Sequence, residues 1–247
     1  MITLRYGANP HQTEASVELP DPSPLKILNG VPGFINMLDA LTSWQLVREL
    51  KEATGTASAA SYKHVSPAGA AIAKPIDEAF KESQFLKTTD FSEVASAYVR
   101  ARGGDRLCSF GDALAVSDVV DVSLAQFLKT EVSDLIIAPG YEPEALEILK
   151  VKKKGGFVIL EIDYDFMPEG IESRELFGIG LNQTRNSRLI SKGDLQNVVS
   201  ENKTISEETI ETLLVAAISL KYTQSNSISV AYDGQIVGIG AGQQSRI

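Results

Sequence analysis

The chain reads as a layered α/β protein, and two observations carry that reading. Short apolar runs of strand length alternate with stretches of helical periodicity from residue 34 to residue 162, which is the order that builds helices over a sheet. The composition is that of an ordinary globular protein: 247 residues, 43% hydrophobic and 22% charged, enough for a substantial core.

The elements follow in order. Residues 1–6 form a short strand or an extended arm carrying Arg5, and Gly7-Ala-Asn-Pro-His-Gln12 is a turn. Residues 26–30 make a short strand that ends at a glycine. Residues 34–53 have helical periodicity, with Met37, Leu38, Leu41, Trp44, Leu46, Val47 and Leu50 on a broad apolar face and Gly55 just past the end, where helices favour glycine. Residues 57–62 are a buried strand of small side chains. Residues 70–80 begin helically and are interrupted at Pro75. A helix is expected over 91–102, a strand split by Gly111 over 107–116, and a helix over 123–130. Leu135-Ile-Ile-Ala138 is a buried strand closed by Pro139-Gly140. Residues 142–150 are helical, and Gly155-Gly156 lead into a strand over 157–162. The polar stretch 163–173 marks a boundary, so residues 1–168 are expected to form a first lobe and 172–247 a second. That second segment holds an amphipathic helix over 207–222 and a hairpin, 227–231 with 235–239, around Asp233-Gly234. One helix and one hairpin are too few to bury a core of their own.

Several function classes are excluded or disfavoured. A net charge of −9 argues against non-specific nucleic-acid binding, but a few clustered cations suffice for a small anion. The single cysteine, Cys108, permits no intramolecular disulfide and is expected to be a buried filler in a reducing cytosol. No apolar run approaches the ~18 residues of a membrane span. Two histidines and one cysteine, without metal-ligand spacing, make a protein zinc site improbable. The glycines at 238, 240 and 242 lack the spacing and context of a dinucleotide fingerprint. They form a turn after a hairpin or, with Arg246, the lip of an anion pocket.

The most informative string is Ser61-Tyr-Lys-His-Val-Ser-Pro-Ala-Gly-Ala-Ala71. It sets Lys63 beside His64 at a strand end, where ligand sites of layered α/β proteins collect. An ammonium beside an imidazole favours the neutral base and stands ready to stabilise negative charge. The same dipeptide also fits a solvated turn. Asn226, in the polar run Lys221-Tyr-Thr-Gln-Ser-Asn-Ser227, suits holding a carbonyl or ending a helix. Asp134 suits a ribose hydroxyl or a loop cap, and Lys152-Lys-Lys154 a solvated helix end.

Seven strings together closely resemble the AICAR transformylase family, the formyl-transferring part of bifunctional purine-biosynthesis enzymes that also carry IMP cyclohydrolase. They are Leu4-Arg-Tyr-Gly-x-Asn-Pro-His-Gln12, Leu28-Asn-Gly-x-Pro-Gly-Phe-Ile-Asn36, Lys63-His-Val-Ser-Pro-Ala-Gly69, Ser109-Phe-Gly-Asp112, Ile137-Ala-Pro-Gly-Tyr141, Lys221-Tyr-Thr-Gln-Ser-Asn-Ser227 and Gly240-Ala-Gly-Gln-Gln-Ser-Arg246. The resemblance spans the chain. It implies a cytidine-deaminase-like layered α/β fold without zinc, the first lobe complete and the second truncated. It implies formyl transfer from 10-formyltetrahydrofolate, as co-substrate, to the 5-amino group of AICAR, in the cytosol. By resemblance, His64 is the proton acceptor and Lys63 the transition-state stabiliser; Asn226 matches a nucleotide-contacting position and is grouped with them as catalytic because its side chain suits holding the reacting groups in line. Arg5, Tyr6, Gly111, Asp134 and Arg246 contact the nucleotide, and Ile247 contacts the folate. The family works as a homodimer with sites at the interface. Its members continue for well over a hundred residues past Ile247 and carry the cyclohydrolase domain in front. The expectation is therefore a fragment holding the nucleotide half of the site; a non-catalytic nucleotide-binding or dimer-forming remnant is the alternative.

Overall fold

The computed structural model describes residues 1–245. The first two strands, β1 (Ile2–Thr3) and β2 (Ser16–Val17), pair with each other away from the main sheet. Then come β3 (Leu25–Asn29), α1 (Phe34–Thr54), β4 (Ser58–Lys63), β5 (Ser66–Ile72), α2 (Glu78–Ser83), α3 (Glu93–Gly104), β6 (Asp112–Val116), α4 (Val122–Thr130), β7 (Ser133–Ala138), α5 (Pro143–Lys150) and β8 (Val158–Ile162). The remaining elements are β9 (Ile171–Leu176), β10 (Ile179–Thr184), α6 (Glu207–Lys221), β11 (Ile228–Tyr232) and β12 (Gln235–Gly240). No helix among the described residues is long and apolar enough to cross a membrane.

An eight-stranded sheet runs in the order β11-β12-β5-β4-β6-β7-β8-β3. Only β6–β7 and β7–β8 are parallel, joined by the crossover helices α4 and α5; the other neighbours are antiparallel. The layered α/β architecture expected from the alternation is present. Side chains of the central strands alternate between two buried faces, as the period of two demands. Ala60, Tyr62, Leu135, Ile137 and Leu160 face α1 and α6, while Ala59, Ile136, Ala138 and Ile159 face α3, α4 and α5.

The long helix α1 is built as its sequence suggests. The Asn36 side chain accepts the Gly33 amide at 2.9 Å, and Gly55 closes the other end at φ 74°. Its buried stripe carries Met37, Ala40, Trp44, Val47 and Leu50, but also the acids Asp39 and Glu49.

Two local expectations are corrected. Residues 66–72 are a strand, although their alanines favour a helix in isolation. Context overrides propensity here, because α3 crosses β5 so closely that a Cβ on Gly69 would lie 2.1 Å from the Ala101 carbonyl oxygen. Small side chains are what let the two backbones meet. The polar stretch placed at the boundary runs into a hairpin, β9–β10, turning at Phe177 and Gly178, both with positive φ.

Residues 172–247 are expected to form an incomplete second lobe. Their helix α6 buries Leu214, Val215 and Ile218 in the same core as Leu46, Leu50 and Ile72, and Ile236 of β12 joins them. The hairpin β11–β12 extends the main sheet through Gln235 opposite Ala71. Helix and hairpin thus find their apolar cover on residues 1–168.

Candidate active site

Strands β4 and β5 are joined by a two-residue turn, His64-Val65, with Lys63 paired to Ser66. Both turn residues are left-handed, at φ 55° and 61°, the geometry of a tight hairpin turn that asparagine and glycine usually occupy. For a β-branched residue such as Val65 this conformation costs on the order of 1–3 kcal/mol and persists only where the surroundings enforce it. A carboxylate meets the turn from below. Asp39, on the second turn of α1 and 5% exposed, accepts the Val65 amide at 2.6 Å. Burial pushes its carboxyl up to about 6, against the pull of the Val65 amide, the His64 charge and the His64 amide.

The turn places His64 at the surface, on the wall of an open cleft of about 370 Å³ lined by Lys63, His64, Ser66, Pro67, Ala68, Asp105, Cys108 and Ile239. The Lys63 ammonium donates to the Phe110 carbonyl. It lies beside Gly111, whose φ is +75° and where an added Cβ would be 3.8 Å from Nζ. Lys63, His64 and Gly111 are therefore brought together.

The 105–111 turn that carries Phe110 is pinned from below. Asp112 is fully buried and accepts from Ser133 Oγ at 2.6 Å, Ser61 Oγ at 2.7 Å, Tyr98 OH at 2.8 Å and Arg102 Nη1 at 3.1 Å. Arg102 also donates to the Ser109 carbonyl at 2.7 Å and to Glu131 at 3.0 Å. Burial raises the Asp112 carboxyl, with Arg102 and the three hydroxyls pulling the other way. No sequence pattern announced this hub, because its members come from β4, α3, β6 and β7.

The other expected residues take these places. Arg5 and Tyr6 are exposed at the start of α1. The Arg5 amide donates to Pro32 O at 2.9 Å, Tyr6 O accepts the Phe34 amide at 3.0 Å, and the Arg5 guanidinium sits 5.8 Å from the Tyr6 ring centre. Asp134, at the start of β7, pairs with Lys153. The lysine run is a largely exposed helix end as expected, but two of its members are engaged: Lys153 with Asp134, and Lys152, which donates to the Glu131 carbonyl. Asn226 exchanges backbone hydrogen bonds with Gln243, at 3.3 and 3.0 Å, while the Gly242 amide donates to Gln224 O at 2.8 Å. Two strings far apart in sequence, 221–227 and 240–246, are zipped together there. The second of them follows Ile239, a wall of the cleft. Arg246 and Ile247 lie outside the described residues. Cys108 is exposed on the cleft wall rather than a buried filler, its amide bonded to Asp105 at 2.8 Å. The thiol's hydrogen bond to Asp105 pushes its pKa up.

A second buried acid ties the Asn226 segment to the hairpin side. Glu49 accepts from Lys221 Nζ and Tyr222 OH, each at 2.6 Å. The Tyr222 carbonyl accepts from Tyr62 OH at 2.9 Å, one residue before Lys63. Asp39 and Glu49 were missed in the sequence; their only signal is an acid on the core-facing side of a helix.

No group of three or more His, Cys, Asp or Glu among the described residues is disposed to hold a metal. The arrangement offers a surface imidazole, an ammonium aimed by a carbonyl, and an adjacent cleft. That combination suits proton removal from a nucleophile and stabilisation of a developing oxyanion.

The model of the AICARFT/IMPCHase bienzyme family matches residues 1–247. The chain is 31% identical over 253 residues to the bifunctional purine biosynthesis protein PurH of Oceanobacillus iheyensis, covering 99% of this chain and 44% of that protein. The PurH of Thermoanaerobacter sp. is 32% identical over 253 residues, with 99% and 44% covered. That of Roseobacter denitrificans is 30% identical over 250 residues, with 99% and 43% covered. The chain thus spans less than half the length of these curated relatives.

Proposed function

The chain belongs to the AICARFT/IMPCHase bienzyme family, and from that premise we propose that it carries the formyl-transfer centre of purine biosynthesis. In this reading the formyl group passes from 10-formyltetrahydrofolate to the 5-amino group of AICAR. The observation that carries the proposal is the His64-Val65 turn, with Lys63 aimed at the Phe110 carbonyl beside Gly111.

The chemistry follows from the substrates. The AICAR amine is conjugated with its imidazole and carboxamide, so it attacks only as it loses a proton. His64, exposed on the cleft wall, takes that proton as the new nitrogen–carbon bond forms. The formyl oxygen becomes an oxyanion, which the Lys63 ammonium stabilises. Collapse breaks the bond between the formyl carbon and N10 of the folate, and N10 receives a proton as it leaves. Asn226 holds the reacting groups in line. Arg5, Tyr6, Gly111, Asp134 and Arg246 would bind the nucleotide, Ile247 the folate, in a homodimer with the site at its interface. The Asp134–Lys153 pair would open to let Asp134 meet the ribose.

The test is direct. The purified protein is incubated with AICAR and 10-formyltetrahydrofolate, and formyl-AICAR and tetrahydrofolate are measured. Stoichiometric appearance of both supports the proposal. Binding of AICAR without turnover, at any protein concentration, leaves only a nucleotide-binding role.

A further inference from the structure

We infer that Asp39 is a positioning residue for the transfer proposed above: by holding the Val65 amide it locks the turn that presents Lys63 and His64 to the cleft. The inference rests on that functional reading for the reaction, but on geometry alone for the lock.

Three observations converge. The turn between β4 and β5 contains neither glycine nor asparagine, yet both of its residues are left-handed. Such a conformation at Val65 needs an external constraint. The only side chain among the described residues bonded to the Val65 amide is Asp39, at 2.6 Å, and a carboxylate makes a stronger acceptor for an amide than a neutral group does. Finally, Asp39 stands on the apolar stripe of α1, between Met37 and Ala40, where an acid costs stability unless it serves another purpose. A neutral or slipped turn would swing Lys63 away from the Phe110 carbonyl, and small displacements of reacting groups are expensive in rate.

The groups facing Asp39 are His64, on the turn, and Asp134, at the start of β7. Its protonation near pH 6 exchanges a charged acceptor for a neutral one, so the lock loosens as pH falls.

The experiment has a spectroscopic arm and a kinetic arm. The Val65 amide is followed by two-dimensional NMR across the acid range in wild type and in the Asp39→Asn and His64→Gln variants. The expected result is a downfield amide proton that moves upfield on acidification with a midpoint of about 6. That titration persists in His64→Gln and vanishes in Asp39→Asn. A Val65 amide that does not titrate, or that titrates unchanged in Asp39→Asn, overturns the inference whatever the enzyme does. In the kinetic arm, Asp39→Ala lowers kcat for formyl transfer by about 10- to 100-fold. Its KM for AICAR stays within about threefold, since ground-state binding is untouched. Asp39→Asn, which keeps a neutral acceptor, recovers part of the rate. Equal kcat in Asp39→Ala and wild type overturns the inference. Absence of transfer in the wild type itself removes the functional proposal and leaves the spectroscopic arm to decide the lock.

Discussion

Replacing Glu49 with alanine tests whether α1 holds the segment that carries Asn226. Glu49 is 2% exposed. It receives Lys221 and Tyr222 at 2.6 Å each and the Ile190 amide at 2.9 Å. The Lys221 side chain is itself only 7% exposed, and without Glu49 its ammonium keeps one acceptor, the Arg188 carbonyl. Removing one partner of a buried ion pair costs about 3–5 kcal/mol. The lower end applies, because the open cleft beside Glu49, Lys221 and Tyr222 admits water to the stranded charge. With a urea slope of about 3 kcal/mol per molar for a chain of this size, the unfolding midpoint falls by about 1 M. Glu49→Gln keeps the shape and an acceptor but loses the charge, and falls by roughly half as much. Amide exchange adds location: in Glu49→Ala, protection drops across α6 while β4, β6 and β7 stay protected. A midpoint shift below about 0.2 M, or uniform loss of protection, refutes the claim that Glu49 anchors this segment.

Other consequences can be checked alongside. Gly69→Ala places a Cβ 2.1 Å from the Ala101 carbonyl oxygen, so α3 must lift off β5; a loss of about 1–3 kcal/mol or more is expected in thermal unfolding, and an unchanged Tm contradicts the packing described. The Asp39 carboxyl, raised to about 6 from an unfolded value near 3.9, keeps a proton in the folded chain that the unfolded chain has released. Stability therefore falls as pH rises through that window, and Asp39→Asn gains on wild type by on the order of 2–3 kcal/mol between those limits; a pH-independent gap in urea unfolding contradicts it. Chelators leave fold and activity unchanged, because the described residues offer no metal-holding cluster; tightly held stoichiometric zinc in metal analysis overturns this.

Most of the architecture was legible where local signals agree with the final packing. Helices α1 and α6 announce themselves by periodicity and by caps at Gly55 and Ser206, β7 and β8 by apolar runs bounded by glycine, and β11–β12 by Asp233-Gly234. Strand β5 was not legible, because its alanines are strand only by virtue of α3 above and β4 and β12 beside it. Hairpin β9–β10 was not, because its exposed residues show no clean alternation. Lys63 and His64 could be singled out from residue types as candidates. Their support could not, since Asp39, Asp112 and Glu49 act through contacts 10 to 173 residues away in sequence. Nothing local marks Val65 as a turn residue either, for a valine there defies turn preference, and the carboxylate that accepts its amide, Asp39, lies 26 residues away.

The central claim is that His64 removes the proton from the attacking amine. Its most direct test is kcat for formyl transfer in His64→Ala, measured with AICAR and 10-formyltetrahydrofolate at saturation, with AICAR affinity determined in parallel by calorimetry. Loss of the base is expected to lower kcat by about 10²- to 10⁴-fold while AICAR binds nearly as before. A kcat within about tenfold of wild type contradicts the account.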